Sequence, residues 1–431
     1  MKNYGKRKLS KSFILWQKTK KLIPSGTQTL SKAPDQFVYG VSPIFLQKGK
    51  GAYVWDVDGN KYLDYVMALG PITLGYDYLV VNSAVIKQLH EGTIFTLPHP
   101  KETELAEILV DLIPCAEMVR FGKNGADATS AAIRVTRAYT GRDHFAYSGY
   151  HGYQDWLAVT TPRNKGIPKI LKDFAHPFEF NDLKSLEDIF AKNPKKISAV
   201  IMEIPGQDPK DNFFQKAIDL AHKNGAVFIL DEIVTGFRYA LGGAQEYYKI
   251  KPDLACFGKG MANGLPISAV VGKKEIMREF EEVFFSTTFG GDTLALSASI
   301  ATIGEIKKKK AIEHFWKLGL YWKNSFNKMA KEVGILASVG GHGPRTHFEF
   351  KDEKGKESLL LKSLFLQETV KRGILFGGPI FISLSHNKSD IDKTLDICET
   401  ALKFIKKVQE SKNIKKYLEG EPISEVFRRR D

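Results

Sequence analysis

Lys259 is the residue whose type and surroundings most directly suggest chemistry. It follows the apolar run 254–257 and lies between two glycines, which let another group approach closely. A desolvated lysine has a lowered pKa and is suited to forming an imine with a carbonyl compound. A lysine after a strand is more often solvated, so this residue alone does not predict an active site.

Asp231 is a second candidate, because it ends the apolar run 227–230. A carboxylate at the C-terminal end of a buried parallel strand lies where such sheets bind ligands. Glu232 follows directly, and side-chain alternation along a strand predicts the two acids on opposite faces. The alternative is that Asp231 caps a helix or forms a structural salt bridge.

Residues 121–129 (FGKNGADAT) indicate a strand end, a glycine-containing turn and a helix that starts near Ala126 and runs to Tyr139. The free N–H groups and the dipole at a helix start attract a phosphate. Neither GxGxxG nor GxxxxGK[ST] is present, which disfavours a dinucleotide-binding fold and a P-loop kinase. Such junctions are common without any ligand, so the turn is informative only together with other residues.

Taken together, these features match what pyridoxal phosphate requires. The lysine supplies an exchangeable imine, the strand-end acid keeps the ring nitrogen protonated, and the helix start binds the phosphate. Tyr150, in the sequence YHG after the apolar run 144–147, offers an aromatic face for the ring. The sequence therefore predicts a pyridoxal phosphate site formed by Lys259, Asp231, Tyr150 and the turn.

The elements that must position these residues are short apolar runs separated by amphipathic stretches. Runs apolar on both faces predict a mostly parallel sheet covered by helices. The predicted strands are 118–121, 144–147, 197–203, 226–231, 254–257 and 267–271, and helices are predicted at 185–192 and 214–224. The middle of the chain is therefore predicted to be an α/β domain.

The flanking segments have a different pattern. Residues 51–64 alternate like a hairpin with its turn at 58–60, and a helix is predicted over 312–333 before the glycine-rich loop 340–344. We expect an N-terminal segment 1–79, a large domain 80–311 and a C-terminal domain 312–431. Its last stretch, 417–431, is polar and basic and is interpreted as a tail.

The composition limits the function classes. The net charge is +14, but basic residues are spread along the chain, and the run Lys307 to Lys310 has no nucleic-acid-binding motif beside it. A solvated helix face is favoured for this run over a nucleic-acid patch, and an anionic small-molecule substrate is a third interpretation of the charge. We therefore expect no nucleic-acid partner.

Cysteine usage and hydropathy indicate the compartment. Cys115, Cys256 and Cys398 are far apart with no CxxC spacing, which excludes a disulfide scaffold and a cysteine-based metal cage and fits a reducing compartment. No apolar stretch approaches the 18 or more residues of a membrane span. We expect a cytoplasmic protein with no membrane association and no metal.

The motifs resemble those of the class III aminotransferases, and most nearly the glutamate-1-semialdehyde 2,1-aminomutases among them. The resemblance rests on residues 231–238 (DEIVTGFR), 241–247 (LGGAQEY), 252–254 (PDL), 258–260 (GKG), 48–60 (KGKGAYVWDVDGN), 138–143 (AYTGRD), 150–152 (YHG) and 389–395 (SDIDKTL). It implies an α/β fold-type I transferase. Such a chain has a large cofactor domain, a smaller α+β domain formed by its N- and C-terminal segments, and a homodimer with shared active sites.

The resemblance also implies roles for individual residues. Lys259 matches the catalytic Schiff-base lysine and Asp231 the catalytic partner of the pyridinium nitrogen. The other residues matching cofactor-binding positions are Asn124, Gly125, Ala126, Tyr150, His151, Glu203, Ile233 and Thr288.

Among these, Ile233 or Val234 would pack on the ring face opposite Tyr150, and strand alternation favours Ile233. Thr288 would reach the phosphate from the partner subunit, and Glu203 would lie near the cofactor edge. For His151 a purely structural role is the alternative.

Two departures from the family pattern bear on function. The phosphate turn, usually Ser-Gly-Thr-Glu-Ala, reads NGADA here, so an amide and a methyl replace two hydroxyl donors, although backbone N–H groups can still bind phosphate. In residues 23–32 (IPSGTQTLSK), Lys32 stands where the aminomutases have the arginine that binds the substrate carboxylate. A point charge does not replace a bidentate fork, so the aminomutase activity is in doubt.

Three hypotheses follow. The leading one is an aminotransferase that moves an amino group from an amino donor to a keto or aldehyde acceptor, with an amino sugar or surface-glycan precursor as a candidate product. The second is the aminomutase, which moves the group within one molecule, and Lys32 disfavours it. The third, an inactive binding scaffold, is disfavoured because Lys259, Asp231 and Tyr150 are all present.

Overall fold

The computed structural model describes residues 7–410 and 413–425, and these form two compact units. One unit is the continuous segment Leu79–Ile312. The other combines the described residues up to Tyr78 with those from Glu313 onward. In the described part of the chain, no helix is both long enough and apolar enough to cross a membrane.

The strands are β1 (Leu46–Lys50), β2 (Tyr53–Asp56), β3 (Lys61–Asp64), β4 (Met118–Gly122), β5 (His144–Ser148), β6 (Ala175–Pro177), β7 (Ile197–Glu203), β8 (Val227–Asp231), β9 (Leu254–Phe257), β10 (Ser268–Gly272), β11 (Ala337–His342), β12 (Arg345–Phe350), β13 (Ile374–Leu375) and β14 (Pro379–Phe381).

The α-helices are α1 (Ser10–Leu22), α2 (Leu79–Glu91), α3 (Pro100–Leu112), α4 (Gly125–Thr140), α5 (Asp155–Ala158), α6 (Leu183–Lys192), α7 (Phe213–Lys223), α8 (Ala244–Tyr248), α9 (Lys274–Met277), α10 (Thr293–Lys308), α11 (Ala311–Val333), α12 (Leu359–Lys371) and α13 (Lys388–Glu410). Short 3₁₀ helices span Pro24–Gly26, Leu30–Lys32, Pro34–Gln36, Met67–Leu69, Lys169–Phe174, Lys259–Ala262, Arg278–Glu281 and Ile414–Tyr417.

The unit Leu79–Ile312 is built on a seven-stranded sheet with the order β4-β10-β9-β8-β7-β5-β6. The pairs from β9 to β6 are parallel, whereas β10 runs antiparallel to both of its neighbours. The predicted α/β architecture with a mostly parallel sheet is confirmed. The edge strand β6 and the reversed direction of β10 were not predicted.

Helix α4 packs against the sheet and forms part of the core of this unit. Its small residues Ala128, Ala131 and Ala132 are buried beside Ile201 and Ile229 of the central strands. Small side chains let the helix lie close to the sheet, and β-branched residues fit the pleated surface. This close packing fixes the helix start relative to the ends of β8 and β9.

The other unit contains two smaller sheets, with the orders β1-β2-β3-β13 and β11-β12-β14. The predicted hairpin is present, because β2 and β3 pair antiparallel and Gly59 in the turn has a φ of 90°. Trp322 and Phe348 are fully buried among other aromatic side chains, which fill the core beside the three-stranded sheet.

Two charged segments singled out in the sequence have defined places. Lys307 and Lys308 end α10 and are exposed, which both the solvated helix-face interpretation and the nucleic-acid interpretation require. The C-terminal stretch interpreted as a tail is partly anchored, since the Glu421 N–H donates to the Tyr39 carbonyl at 2.8 Å. Residues 426–431 of that stretch lie outside the described residues.

Candidate active site

The candidate site lies where β7, β8 and β9 end. Glu203 at the end of β7 pairs with Asp231 at the end of β8, and Asp231 pairs with Cys256 of β9. Parallel neighbours end at the same edge of a sheet, which is the edge where α/β sheets bind ligands. The register therefore brings Asp231 and the residues after β9, including Lys259, to one edge.

Asp231 and His151 form a buried pair at this edge. The Nδ1 atom of His151 lies 2.7 Å from Oδ2 of Asp231, and the Ile233 N–H donates to Oδ1 at 3.0 Å. The Asp231 and His151 side chains are only 3% and 0% exposed. Both carboxylate oxygens are therefore held in a fixed orientation away from water.

His151 is itself held in place by α4. Its backbone carbonyl accepts a 2.6 Å hydrogen bond from the Thr129 hydroxyl. Its Nε2 atom is buried and has no hydrogen-bond partner among the described residues. The contact between His151 and Asp231, which are far apart in the sequence, could not be predicted from spacing.

The start of α4 presents free backbone donors. The Asp127 carboxylate accepts hydrogen bonds from the N–H groups of Lys123 and Asn124, at 3.0 and 2.7 Å. The N–H groups of Gly125 and Ala126 have no protein acceptor in the described part of the chain. Two donors at a helix N-terminus are suited to an anion.

Asp127 was not identified in the sequence, although a signal was present. An acid three residues after Asn124 at the helix cap is a capping-box spacing. Lys123 contributes in a second way, since its Nζ atom lies 2.7 Å from Asp292 at the cap of α10. The contacts with Asp127 and Asp292 therefore hold the turn in place without a ligand.

Ile233 lies between the helix start and the turn that carries Lys259. A Cβ atom added to Gly125 or to Gly258 would lie 3.1 Å from Ile233 Cδ1. The two glycines therefore let both turns approach the Ile233 side chain, and the choice of Ile233 over Val234 as the residue that packs on the ring stays a prediction.

Lys259 is half-buried and begins the 3₁₀ helix Lys259–Ala262, with only Gly258 between it and the end of β9. Its φ of 24° lies in the left-handed region, which is uncommon for a residue with a side chain. Such a conformation is kept only where the surrounding structure enforces it, and residues of this kind cluster at functional sites.

Tyr150 and Glu203 meet at the ends of β5 and β7. The Tyr150 N–H lies 3.4 Å from a Glu203 carboxylate oxygen, and Tyr150 as a whole is 47% exposed. Partial burial raises the pKa of the Tyr150 hydroxyl. A Cβ at Gly149 would lie 2.8 Å from Glu203 Cβ, so the chain turns tightly over Glu203 before presenting the tyrosine ring.

Two predicted site residues are not joined to this cluster by a described contact. Thr288 is exposed in the segment between Phe285 and α10, and no described hydrogen bond links it to Gly125 or Ala126 of the same chain. Lys32 is an exposed residue of the other unit, where it ends the 3₁₀ helix Leu30–Lys32.

Glu232 has a different environment from its neighbour Asp231. Its carboxylate accepts hydrogen bonds from the N–H groups of Ala244 and Gln245, at 2.8 and 2.9 Å, and from the Thr235 hydroxyl. Burial raises the pKa of Glu232 to about 7. Glu232 therefore anchors the start of α8 and takes no part in the cluster around Asp231.

The comparisons with known proteins agree on one family. The family model described as "Aminotransferase class-III" matches residues 38–402, which is most of the chain. The chain belongs to the class-III aminotransferases. Members of this family use pyridoxal phosphate, and the chain is identified with them as a pyridoxal phosphate-dependent enzyme.

Two relatives and one solved structure illustrate the similarity. The 3-aminobutyryl-CoA aminotransferase of Cloacimonas acidaminovorans (strain Evry) is 34% identical over 94% of this chain and 99% of its own. The glutamate-1-semialdehyde 2,1-aminomutase of Sulfurihydrogenibium azorense is 33% identical over 85% of this chain and 93% of its own. The PLP internal aldimine form of the Sphingopyxis sp. MTA144 FumI protein has a TM-score of 0.87 and 25% identity, and the match covers 96% and 99% of the two chains.

The residues at this edge of the sheet fit the cofactor. The free N–H groups of Gly125 and Ala126 suit its phosphate, and the buried Asp231 carboxylate suits a protonated ring nitrogen. The described residues contain no group of three or more histidine, cysteine or acidic side chains that could hold a metal ion.

Proposed function

We propose that this class-III enzyme moves an amino group between two small molecules, from an amino donor to a keto or aldehyde acceptor. The observation that carries the proposal is the buried Asp231–His151 pair at the end of β8, beside the strand that leads into Lys259. A rigid, dry carboxylate next to a lysine-bearing turn is the arrangement that this chemistry needs. Each proposed role follows from one of these groups.

Pyridoxal phosphate, when bound, supplies an electron sink for the electron pair released when a proton leaves the amino-bearing carbon of a substrate. The chain must therefore provide a base at that carbon and a carboxylate at the ring nitrogen. Lys259 is proposed as the base. Its Nζ atom takes the proton from the amino-bearing carbon of the substrate and returns it to the carbon on the other side of the transferred nitrogen. Its turn, held by Gly258 against Ile233, orients the amine for both positions.

Asp231 is proposed to hold the proton on the ring nitrogen. Each of its oxygens already has one partner, yet a carboxylate oxygen can accept a second hydrogen bond. His151 fixes the orientation of this carboxylate and is proposed as a positioning residue. The burial of the pair strengthens the interaction, because water does not screen it.

Four further residues are proposed to enclose the ring. Tyr150 offers an accessible aromatic face, and Ile233 an aliphatic one on the side of the helix start. Glu203, whose carboxylate approaches the Tyr150 backbone, is proposed to border the cofactor edge. Asn124, with the N–H groups of Gly125 and Ala126, is proposed to hold the phosphate.

A homodimer is proposed to complete the site, with Thr288 acting on the partner's phosphate. Exposed apolar side chains on α2 support a protein partner, because Leu79, Ile86 and Leu89 recur at helical spacing and are 77%, 56% and 53% exposed. Phe289, next to Thr288, is 58% exposed. Large exposed apolar patches mark interaction surfaces, and a symmetric second copy is the commonest partner.

Intermolecular transfer is proposed over the aminomutase reaction because of one residue. Lys32 replaces the arginine that the aminomutase pattern has for the substrate carboxylate, and lysine cannot form the same bidentate contact. A relative at 34% identity is named an aminotransferase, whereas relatives at 32–33% identity are named aminomutases. An amino sugar or surface-glycan precursor is retained as the proposed product class.

The test is the visible absorption spectrum of the purified protein during titration with single amino donors. We expect the band of the lysine-bound cofactor to disappear while stoichiometric keto product forms. Keto sugars and short keto acids should then restore it, and the acceptor that does so fastest identifies the product. The Lys259→Ala variant should lack the band and have no turnover.

The other hypotheses have distinct outcomes in the same assay. A band that no ordinary donor discharges, but that a diamino or amino-aldehyde compound does, would favour the aminomutase. Absence of any band after incubation with pyridoxal phosphate would favour the scaffold. Lys32→Ala is expected to raise KM for an anionic substrate without loss of cofactor, and an unchanged KM would remove Lys32 from the proposal.

A further inference from the structure

Ser268 is a buried polar residue at the same edge of the sheet that the mechanism has not used. It begins β10, and because β10 runs antiparallel, its start lies beside the ends of β4 and β9. Ser268 is fully buried. Its Oγ atom has no hydrogen-bond partner among the described residues.

The hydroxyl lies between the two turns assigned to the cofactor. A Cβ added to Gly122, where the strand passes into the turn of Asn124, would lie 2.9 Å from Ser268 Oγ. A Cβ added to Gly258, the residue before Lys259, would lie 3.8 Å from Ser268 Cβ. Gly122 and Gly258 thus both pack closely against this side chain.

A buried hydroxyl without a partner costs free energy, and a ligand that accepts a hydrogen bond from Ser268 Oγ would remove that cost. The N–H groups of Gly125 and Ala126, three and four residues after Gly122, likewise have no protein acceptor in the described part of the chain. Each of the three groups can donate a hydrogen bond. An anion between them would satisfy every one, whereas an apolar ligand would satisfy none.

The composition of the turn gives a reason for a donor from elsewhere. Asn124 and Ala126 occupy positions where the family pattern has hydroxyl side chains. The turn itself therefore offers no hydroxyl, and Ser268 brings one beside Gly122, at the start of that turn, from a different strand.

We propose that Ser268 is a cofactor-binding residue whose hydroxyl donates a hydrogen bond to the phosphate of pyridoxal phosphate. This inference rests on the proposed placement of the phosphate at the start of α4. It adds a donor from β10 to the backbone donors of the turn. The predicted consequence is a loss of affinity that depends on the phosphate group.

The experiment measures cofactor affinity of the full-length apoprotein by titration, with the absorption band as the readout. Pyridoxal phosphate is compared with pyridoxal, which lacks the phosphate. For Ser268→Ala we expect the Kd for pyridoxal phosphate to rise about tenfold, as for the loss of one charge-assisted hydrogen bond. The Kd for pyridoxal should not change.

Ser299→Ala is the matched control, because Ser299 is also fully buried with an Oγ atom that has no partner in the described chain. It should change neither Kd. The melting temperature of the Ser268→Ala apoprotein should not fall, since the variant removes a group without a partner.

Three results would overturn the inference: an unchanged Kd for pyridoxal phosphate, an equal rise for both ligands, or a lower melting temperature of the apoprotein. A hydroxyl that serves only the fold or a buried water would give one of these. A wild-type protein that forms no band would instead contradict the proposed function, so the two failures are distinguishable.

Discussion

Asp231 and Glu232 are neighbours in the sequence, yet their carboxylates have different hydrogen-bond partners. Asp231 contacts His151 at the sheet edge, and Glu232 accepts hydrogen bonds from the segment before α8. Alternation along the strand predicted that the two acids point to opposite faces. The partner of each acid could not be predicted, because it lies far along the chain.

Asp231→Asn should therefore affect proton transfer and not folding. An amide does not hold a proton on the ring nitrogen, so we expect the single-turnover rate to fall by about 10²–10⁴-fold with the cofactor still bound. The measurement is stopped-flow decay of the absorption band after a donor is added.

Glu232→Gln is the control at the adjacent position. The neutral side chain weakens the hydrogen bonds from Ala244 and Gln245, so we expect a lower melting temperature with little change in the single-turnover rate. Equal rate losses in both variants would contradict the separate roles.

At the scale of the elements, the sequence predicted those whose residues have a strong period or a clear boundary. Strand β7 matches its prediction at both ends, since it is apolar apart from Ser198 and ends at an acid. Strand β6 was missed because it has three residues and ends in Pro177. The reversed direction of β10 was also missed, since a short apolar run has the same pattern in either direction.

The closeness of α4 to Ile233 leads to a prediction for Gly125→Ala. The added methyl would meet Ile233 Cδ1 and Cγ2 at 3.1 Å, and overpacking of this kind costs on the order of 1–3 kcal/mol. We expect the Kd for pyridoxal phosphate to rise about tenfold. The Gly125→Ala/Ile233→Val double variant should recover part of the lost affinity for pyridoxal phosphate. No recovery would contradict a clash between the added methyl group and Ile233.

His386 joins two segments of the unit that combines the residues up to Tyr78 with those from Glu313 onward. Its ring accepts from the Ser383 N–H at 3.1 Å and donates to the Asp64 carbonyl at 3.1 Å, and burial lowers its pKa to about 4. The unfolded chain has an ordinary histidine pKa of about 6.5. The neutral ring thus contributes stability above pH 6.5, and this contribution is lost as pH falls towards 4.

We expect the free energy of unfolding in urea to fall between pH 7 and pH 5, and to fall less in His386→Gln. His314, whose ring lies 2.9 Å from the His386 carbonyl, also has a lowered pKa from burial. The His314→Gln variant therefore measures its share of the slope. An identical slope in wild type and His386→Gln would contradict the role of His386.

For the molecule as a whole, the proposed dimer gives the clearest test. Ile86→Asp places a charge in the exposed apolar stripe of α2, so we expect a smaller particle in light scattering and lower activity. Ile170→Asp is the control, since Ile170 is 62% exposed and lies outside this stripe. An unchanged particle size in the Ile86→Asp variant would show that the dimer interface does not include this face of α2.

The unit that combines the residues up to Tyr78 with those from Glu313 onward has a consequence for the order of synthesis. Its four-stranded sheet needs β13, because Ile374 pairs with Leu63 near the opposite end of the chain. The ribosome synthesises the segment Leu79–Ile312 before it reaches β13. This segment can therefore fold during translation, while β1, β2 and β3 still lack the strand that pairs with β3. A ribosome that stops early would thus release a chain with a finished seven-stranded sheet and an open sheet edge, which favours aggregation.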